Sequence, residues 1–403
     1  MKDFPPVNET SSTQETPPAK EILRLNAISP AAYEYLPKDY ALTESSESPV
    51  GVLVRSAKMH DLALPESVLA VARAGAGVNN IPVEAYAARG VVVFNTPGAN
   101  ANAVKELTIA ALLLASRKIA DGIAWVNTLS SDPDPLKTAE KGKSAFVGPE
   151  LSGKKLGVIG LGAIGAPVAN AAVSLGMEVY GYDPYISVEA AWRLSRAVKH
   201  ETDFDRLLSL CDYVTVHVPF TGENKGLFNA GTIAKMKPGS ALINLSRGEL
   251  VDNAAVLAAL ESGALSRYVT DFPAAELIGK PNVVCMPHLG ASTPEAEDNC
   301  AAMAARELVD YIENGTIKNS VNYPAISLPR SGNARVSILH KNQKNMISAI
   351  TAVLSSDNKN IENFVNKSRG EYACSLLDLD AAPGEAVLAA LRNIDGVILV
   401  RAL

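Results

Sequence analysis

Short continuous apolar runs alternate with stretches of helical period along most of this chain. VGVLVRS (Val50–Ser56) and GVVVFNTPG (Gly90–Gly98) read as strands, while LPESVLAVARAGAGVNNI (Leu64–Ile81) between them reads as a helix running into a glycine-rich turn. Ala101–Trp125 reads as one long apolar helix, and the polar SSDPDPLKTAEKGK after it (Ser130–Lys143) as a loop. Lys154–Pro184 reads as strand, glycine turn, helix, strand. Further strands are expected at Tyr213–Pro219, Ser240–Ser246, Arg267–Phe272 and Asn282–Pro287, most of them separated by helical stretches, and Thr293–Asn314 reads as one long helix. Val-rich runs without alternation suit parallel strands covered on both faces. The repeated strand–helix order predicts an α/β fold with a doubly wound parallel sheet.

The pattern changes after a stretch rich in Pro, Ser and Gly (Ser320–Asn333), read as a linker. Arg335–Leu403 then runs strand, helix, strand, strand, helix, strand, the order of a ferredoxin-like α+β unit. At the other end, residues 1–20 are polar and Pro-rich and are expected to form a disordered tail.

Composition narrows the function classes. With 403 residues, two or three domains are expected. A net charge of −6 gives no global reason to bind nucleic acid or an anionic membrane. Cys211, Cys285, Cys300 and Cys374 are scattered, which argues against a metal centre or a disulfide framework and fits a reducing cytoplasm. No apolar run has the length of a membrane span.

The first candidate chemistry lies in the glycine turn. Gly160, Gly162 and Gly165 form G-x-G-x-x-G between a strand and a helix. The first glycine permits the tight turn, the second a close approach of pyrophosphate, the third close helix–strand packing. The helix N-terminus adds free N–H groups and a positive dipole end. Asp183 ends the next strand, where a carboxylate accepts hydrogen bonds from ribose hydroxyls and repels a 2′-phosphate. NAD is therefore expected over NADP. The plain alternative is a structural turn.

Oxidising a hydroxy acid also requires a cation for the carboxylate, an acid/base for the hydroxyl proton and a group that sets that base's pKa. Arg247, His288 and Glu276 follow successive predicted strands and match these needs. Singly, each also reads as ordinary: a solvated Arg, a turn His, an exposed loop Glu. Their joint placement behind strands of one sheet, where open α/β sheets bind ligands, is the argument.

These segments resemble one family. INLSRGELVD (Ile243–Asp252), TDFPAAEL (Thr270–Leu277) and MPHLGAST (Met286–Thr293), with the glycine turn, Asp183, RAGAGVNNI (Arg73–Ile81) and GVVVFNTPGANANAVKEL (Gly90–Leu107), resemble the D-isomer-specific 2-hydroxyacid dehydrogenases from about Val50 to about Leu328. The resemblance implies that Arg247 binds the substrate carboxylate, that His288 is the general acid/base and that Glu276 is its partner. It implies an NAD site lined by Gly160, Gly162, Ala163, Ile164, Gly165, Asp183, His217, Pro219, Leu245, Ser246, Asp271, Gly290 and Ala291. It implies backbone contacts to substrate from Gly77, Val78 and Asn79. It also implies interleaved domains: a flavodoxin-like substrate domain (21–97 and 289–326) interrupted by a Rossmann-type NAD domain (98–288), with a linker at 327–334 and a C-terminal module at 335–403. Where the family usually has Pro after the Glu, this chain has Leu277.

The C-terminal module resembles an ACT domain, which implies homodimers or homotetramers and an amino-acid effector, serine, at His340, Asn342 and Asn360. Its first turn reads Lys344-Asn345 where the resemblance leads one to expect Pro-Gly. Arg55 sits where the family has a phosphate-binding Arg, which implies a phosphorylated 2-hydroxy acid as substrate. A second Arg is replaced by Ala57, with Lys58 following, and Lys141 or Lys143 offers further charge. The competing readings are an enzyme for an unphosphorylated hydroxy acid and a non-catalytic NAD-sensing scaffold. The ferredoxin-like tail and Arg55 disfavour the first, and the same tail with the absence of a basic patch disfavours the second.

Overall fold

The computed structural model describes residues 20–403, so the expected N-terminal tail lies, but for Lys20, outside the described residues. The chain divides into two compact units, one of residues up to 96 together with 301–403, the other of 97–300.

In the first unit, β1 (Lys20–Leu25), β2 (Tyr40–Thr43), β3 (Gly51–Val54), β4 (Ala70–Arg73) and β5 (Val92–Phe94) form a parallel sheet in the order β2-β1-β3-β4-β5. This is the flavodoxin-like order, whose winding reverses beside β1. Val52, Val54, Val71, Val93 and Tyr86 fill its core. Gly51 leaves room for Leu308, since a Cβ there would lie 3.0 Å from that side chain. The helix expected over Leu64–Ile81 is not formed, because its apolar run is β4. Four residues buried between two neighbouring strands carry no period that separates strand from helix, and only the brevity of the run, between Pro65 and Gly75, points to a strand.

In the second unit, β6 (Lys155–Ile159), β7 (Glu178–Tyr182), β8 (Lys199–His200), β9 (Tyr213–Val216), β10 (Ser240–Asn244), β11 (Leu265–Thr270) and β12 (Val283–Cys285) form a parallel sheet ordered β8-β7-β6-β9-β10-β11-β12. The order runs outward in both directions from the β6–β9 pair, the doubly wound arrangement that opens a crevice at the strands' carboxyl ends. Val104, Ala111, Leu112 and Ala115 pack with Leu156, Val158 and Ala169 in one core layer. The single helix expected over Ala101–Trp125 is two, Ala101–Ser116 and Ile119–Asn127, with Arg117 extended between them. Gly148 fits against this break: a Cβ on it would lie 2.2 Å from the Ser116 carbonyl oxygen. The expected loop Ser130–Lys143 contains a helix, Pro135–Gly142, which Asp134 caps through the Lys137 amide with Pro135 in the first turn.

The last 70 residues form β13 (Ala334–Lys341), β14 (Ile361–Arg369), β15 (Tyr372–Leu379) and β16 (Val397–Ala402), an antiparallel sheet ordered β14-β15-β13-β16. With the helices Met346–Ser356 and Glu385–Arg392, which bury Ile350, Leu354 and Leu391 among Val336, Ile338 and Leu377, this is a ferredoxin-like module. The module is part of the first unit. Arg401 donates to the carbonyls of Tyr311 (2.6 Å) and Ile312 (3.3 Å), and Arg335 to that of Asn314 (3.1 Å), all in the last turn of the helix Pro294–Asn314. Those carbonyls have few partners of their own helix, so the module acts as its cap. Arg369 donates to the Ser320 carbonyl at 2.7 Å. The stretch before β13 lacks regular structure yet is fastened: Arg330 donates to Leu403 O (2.7 Å), Ser331 to Asp378 (3.1 Å) and Asn333 to Asp380 O (2.8 Å). Among the described residues, no helix is long and apolar enough to cross a membrane.

Candidate active site

The parallel sheet of the second unit delivers the candidate residues to one edge. Gly160 follows β6, Asp183 follows β7, His217 follows β9, Leu245 to Arg247 follow β10, Asp271 follows β11, and His288 comes shortly after β12.

At the glycine turn each glycine is required for a different reason. Gly160 has φ +85°, and a Cβ there would lie 2.7 Å from the His217 carbonyl oxygen. On Gly165 a Cβ would come within 1.8 Å of the Gly160 carbonyl oxygen. A Cβ on Gly162 would meet nothing within 4 Å, so this side of its backbone is open to an approaching group. Ala163 and Ile164 lead into the helix Gly165–Ser174, with Ala163 exposed and Ile164 half-buried against the core. Asp183 accepts hydrogen bonds from the amides of Leu161 (2.8 Å) and Tyr185 (2.9 Å), which pins the acidic strand end against the turn. Each oxygen keeps a lone pair for a ribose hydroxyl. His217 shares a 3.0 Å hydrogen bond between its Nε2 and Thr215, and burial pushes its pKa down to about 4, which keeps the ring neutral. Its Nδ1 is buried without a partner. Pro219 is exposed nearby in sequence, and Ser246 donates to Val218 O at 2.6 Å. An open glycine cradle beside a paired carboxylate fits a dinucleotide.

The reacting groups gather around Asp271. The His288 amide donates to Asp271 O (2.8 Å), and the Gly290 amide donates to the Asp271 carboxylate (2.8 Å). Burial raises the Asp271 carboxyl above its usual range, while the Gly290 amide and the charges of His288 and Arg247 pull it back. Its other oxygen is buried and unpartnered. His288 has φ +27°, a conformation that costs a non-glycine residue energy and is held where the surroundings over-determine it. Its ring is exposed on one side and tilted against Phe272, with centroids 4.9 Å apart. Ala291 is half-buried two residues after the turn histidine's Leu289. Arg247 is half-buried, with Nη1 donating to Ser246 O (2.7 Å), and Asn244 Nδ2 donates to the Arg247 carbonyl (2.8 Å).

Glu276 is not joined to His288. Its carboxylate accepts from Asn253 Nδ2 (2.9 Å) at the first turn of the helix Asn253–Ser262, and that bond holds its pKa below the usual value. Leu277 is buried in the core and its amide bonds to Ala274 O, so the loop is anchored with Glu276 facing outward. Asn253 and Asn244 were not singled out in the sequence. Nothing in the spacing of either signals a partner two dozen residues away or a shaped turn.

In the first unit, Arg55, Lys58 and Gly77–Asn79 are brought together. Asn80 Nδ2 donates to Ala57 O (2.8 Å), and the Met59 amide donates to Asn80 O (2.8 Å). Asn26, at φ +79° after β1, accepts the amides of Ser56 (3.2 Å) and Ala57 (2.7 Å). Lys58 is exposed, and Arg73 Nε donates to Arg55 O (3.0 Å). Lys141 and Lys143 lie at the end of the helix Pro135–Gly142, where Lys143 pairs with Glu140.

The proposed effector residues are not brought together within one chain. His340 is buried, bonded to Lys341 O (2.8 Å), Asn366 (3.1 Å) and Ser375 (3.1 Å). Asn342 donates to Gly370 O (3.1 Å) at the β14–β15 hairpin, whereas Asn360 bonds Asp380 (3.1 Å) at the other end of the same strands. About eight strand residues, roughly 25 Å, separate them.

Comparison with known proteins agrees with this geometry. Residues 109–290 match the D-isomer specific 2-hydroxyacid dehydrogenase, NAD binding domain. D-3-phosphoglycerate dehydrogenase of Haemophilus influenzae is 34% identical over 339 residues, covering 81% of this chain and 79% of that protein. The chain belongs to the D-isomer-specific 2-hydroxyacid dehydrogenase family. The enzyme of the same name from Bacillus subtilis is 38% identical over 267 residues, 65% of this chain, and the chain spans only about half (48%) of that longer relative. Among solved structures, NAD+-bound 3-phosphoglycerate dehydrogenase of Entamoeba histolytica superposes with a TM-score of 0.59 at 26% identity, covering 75% of this chain and 98% of its own. As a member of this dehydrogenase family the protein is an NAD-dependent oxidoreductase, and the α/β fold with its Rossmann-type unit is the family's own.

Proposed function

We propose that the protein oxidises D-3-phosphoglycerate to 3-phosphohydroxypyruvate with NAD, the first step in making serine from a three-carbon phosphate. The observation that carries this reading is the convergence of Arg247, Asp271 and His288 at the carboxyl ends of one sheet in a chain one-third identical to D-3-phosphoglycerate dehydrogenases. NAD, when bound, supplies the two-electron acceptor for the C2 hydrogen. His288 takes the C2 hydroxyl proton on its ring, and its position is fixed by its amide bond to Asp271. Arg247 pairs with the substrate carboxylate through its planar fork. Asp271, its carboxyl raised by burial, orients whatever donor its unpartnered oxygen meets. Glu276 serves His288 only after exchanging its bond to Asn253. In the first unit, Gly77, Val78 and Asn79 offer backbone groups to the carboxylate, and Arg55 with Lys58 offers charge to the phosphate.

A homodimer or homotetramer is part of this reading, in a cytoplasmic setting that suits four cysteines joined in no disulfide. So is a serine effector, but only across two copies. Asn342 and Asn360 lie at opposite ends of one sheet, and the exposed edge strand β14 would let a second module set its Asn360 beside the first module's Asn342.

The test is NADH oxidation with 3-phosphohydroxypyruvate beside hydroxypyruvate, for wild type and His288→Ala. A preference for the phosphorylated acid, with kcat lowered by about 10²–10⁴ in the variant, is expected. Equal turnover of the unphosphorylated acid would replace the phosphate reading by a general hydroxyacid dehydrogenase, and NADH binding without any turnover would leave the scaffold.

A further inference from the structure

One buried acidic group of the first unit has no part in the chemistry above. Glu307, on the helix Pro294–Asn314, is 7% exposed. One carboxyl oxygen accepts from Asn319 Nδ2, and the other is buried without a partner. Burial pushes its pKa up to about 7, against the Asn319 bond and the charges of Lys318 and Arg306. Burying a carboxyl this incompletely satisfied is costly, and a polar residue that merely fills space there would be replaced by an apolar one without loss.

The Asn319 bond leads somewhere specific. The carbonyl of Asn319 accepts the Asn95 amide (3.2 Å). Asn95 Nδ2 then donates to Ala76 O (2.6 Å), and the next amide, Thr96, donates to Gly75 O (3.1 Å). Gly75 and Ala76 open the turn that contains Gly77 and Val78. The turn follows a strand of only four residues, so these side bonds, more than its own strand, fix its height above the sheet.

We propose that Glu307 is a positioning residue for substrate: through Asn319 and Asn95 it holds the Gly75–Val78 turn at the height where its amides receive the substrate carboxylate. This rests on the functional reading above. The groups are all on the first unit, and the glycine turn proposed for the dinucleotide belongs to the second, so the effect is expected on the acid substrate alone.

The experiment compares full-length wild type, Glu307→Ala, Glu307→Gln and Asn319→Ala. The two alanine variants are expected to raise KM for 3-phosphohydroxypyruvate about tenfold, with kcat within about twofold. KM for NADH should not move, and Glu307→Gln, which keeps an acceptor for Asn319, should restore the wild-type value. Hydrogen exchange on the substrate-free protein should show the Asn95 and Thr96 amides, which bond Asn319 O and Gly75 O, exchanging faster in Glu307→Ala than in wild type. Unchanged KM for the acid in both alanine variants, or a lowered melting temperature with unchanged exchange at Asn95 and Thr96, would overturn the proposal. Wild type that turns over no 2-oxo acid would sink the functional reading instead, and the exchange comparison would still decide the network.

Discussion

Two strand–turn–helix corners of this molecule have the same outline and opposite uses. At Gly160–Gly165 the turn is left bare: a Cβ on the middle glycine would meet only open space. At Asn342–Met346 the corresponding turn of the C-terminal module is filled by its own side chains. Asn345 takes the left-handed conformation at φ +64°, which Asn tolerates better than most residues. Gln343 donates to Asp395 O (2.7 Å) and covers Gly396, where a Cβ would lie 2.5 Å from its amide nitrogen. Asn342 ties down the neighbouring hairpin. A corner that presents amides to a ligand has to leave them unused, whereas a corner that spends its polar side chains on its neighbours gains rigidity.

The sharpest way to break this contrast is at the bare corner. Gly165→Ala drives a methyl into the Gly160 carbonyl and is expected to cost on the order of 3 kcal/mol of stability, with loss of NADH binding, read by thermal unfolding and fluorescence titration. Gly162→Ala, whose methyl meets no protein atom within 4 Å, should leave unfolding unchanged and weaken NADH alone; equal destabilisation by both variants would mean that the turn is structural throughout.

A second effect separates the two units by pH. His217, in the second unit, is held down to about 4 from 6.5, so its own contribution to stability is full above about 6.5 and is lost as pH falls toward 4. Glu307, in the first unit, is held up to about 7 from 4.5, so its own contribution to stability is full below about 4.5 and is lost as pH rises through 7. Glu307→Gln should therefore stabilise the protein at pH 8, by on the order of 1–3 kcal/mol, and not at pH 4.5. Denaturant unfolding at the two pH values reads the difference, and a pH-independent change would dissociate Glu307 from it.

The smallest effect belongs to the closed corner. Asn345→Gly trades backbone strain for unfolded-chain entropy and should change stability by less than about 0.5 kcal/mol, with kinetics untouched. A clear kinetic change would mean that this corner also meets a ligand.

What was legible in the sequence follows the same division. The glycine turn, Asp183, Arg247 and His288 stand at strand ends, and strand ends can be read from apolar runs and their polar stops. The ferredoxin-like module was legible because its strands and helices are separated by clear turns. β4 was misread, since a four-residue run buried on both sides has no period. The break after Ser116 packs against Gly148 and Pro149 some thirty residues away, a contact that no local pattern reveals. The partner of Glu276 escaped for a related reason: a buried leucine anchors the loop, and the carboxylate then finds the nearest helix start.

A small domain at the end of a chain invites exchange, as if a sensor could be swapped like a cassette. Here the cassette boundary does not fall in the irregular stretch before β13. Arg401 and Arg335 complete the last turn of the helix Pro294–Asn314, and Gly315 stays a glycine because Leu376 and Leu403 press against it. A chimera joined at residue 327 would strip that helix of its donors and expose apolar surface, so a transplant that works would have to carry the helix's final turn with it.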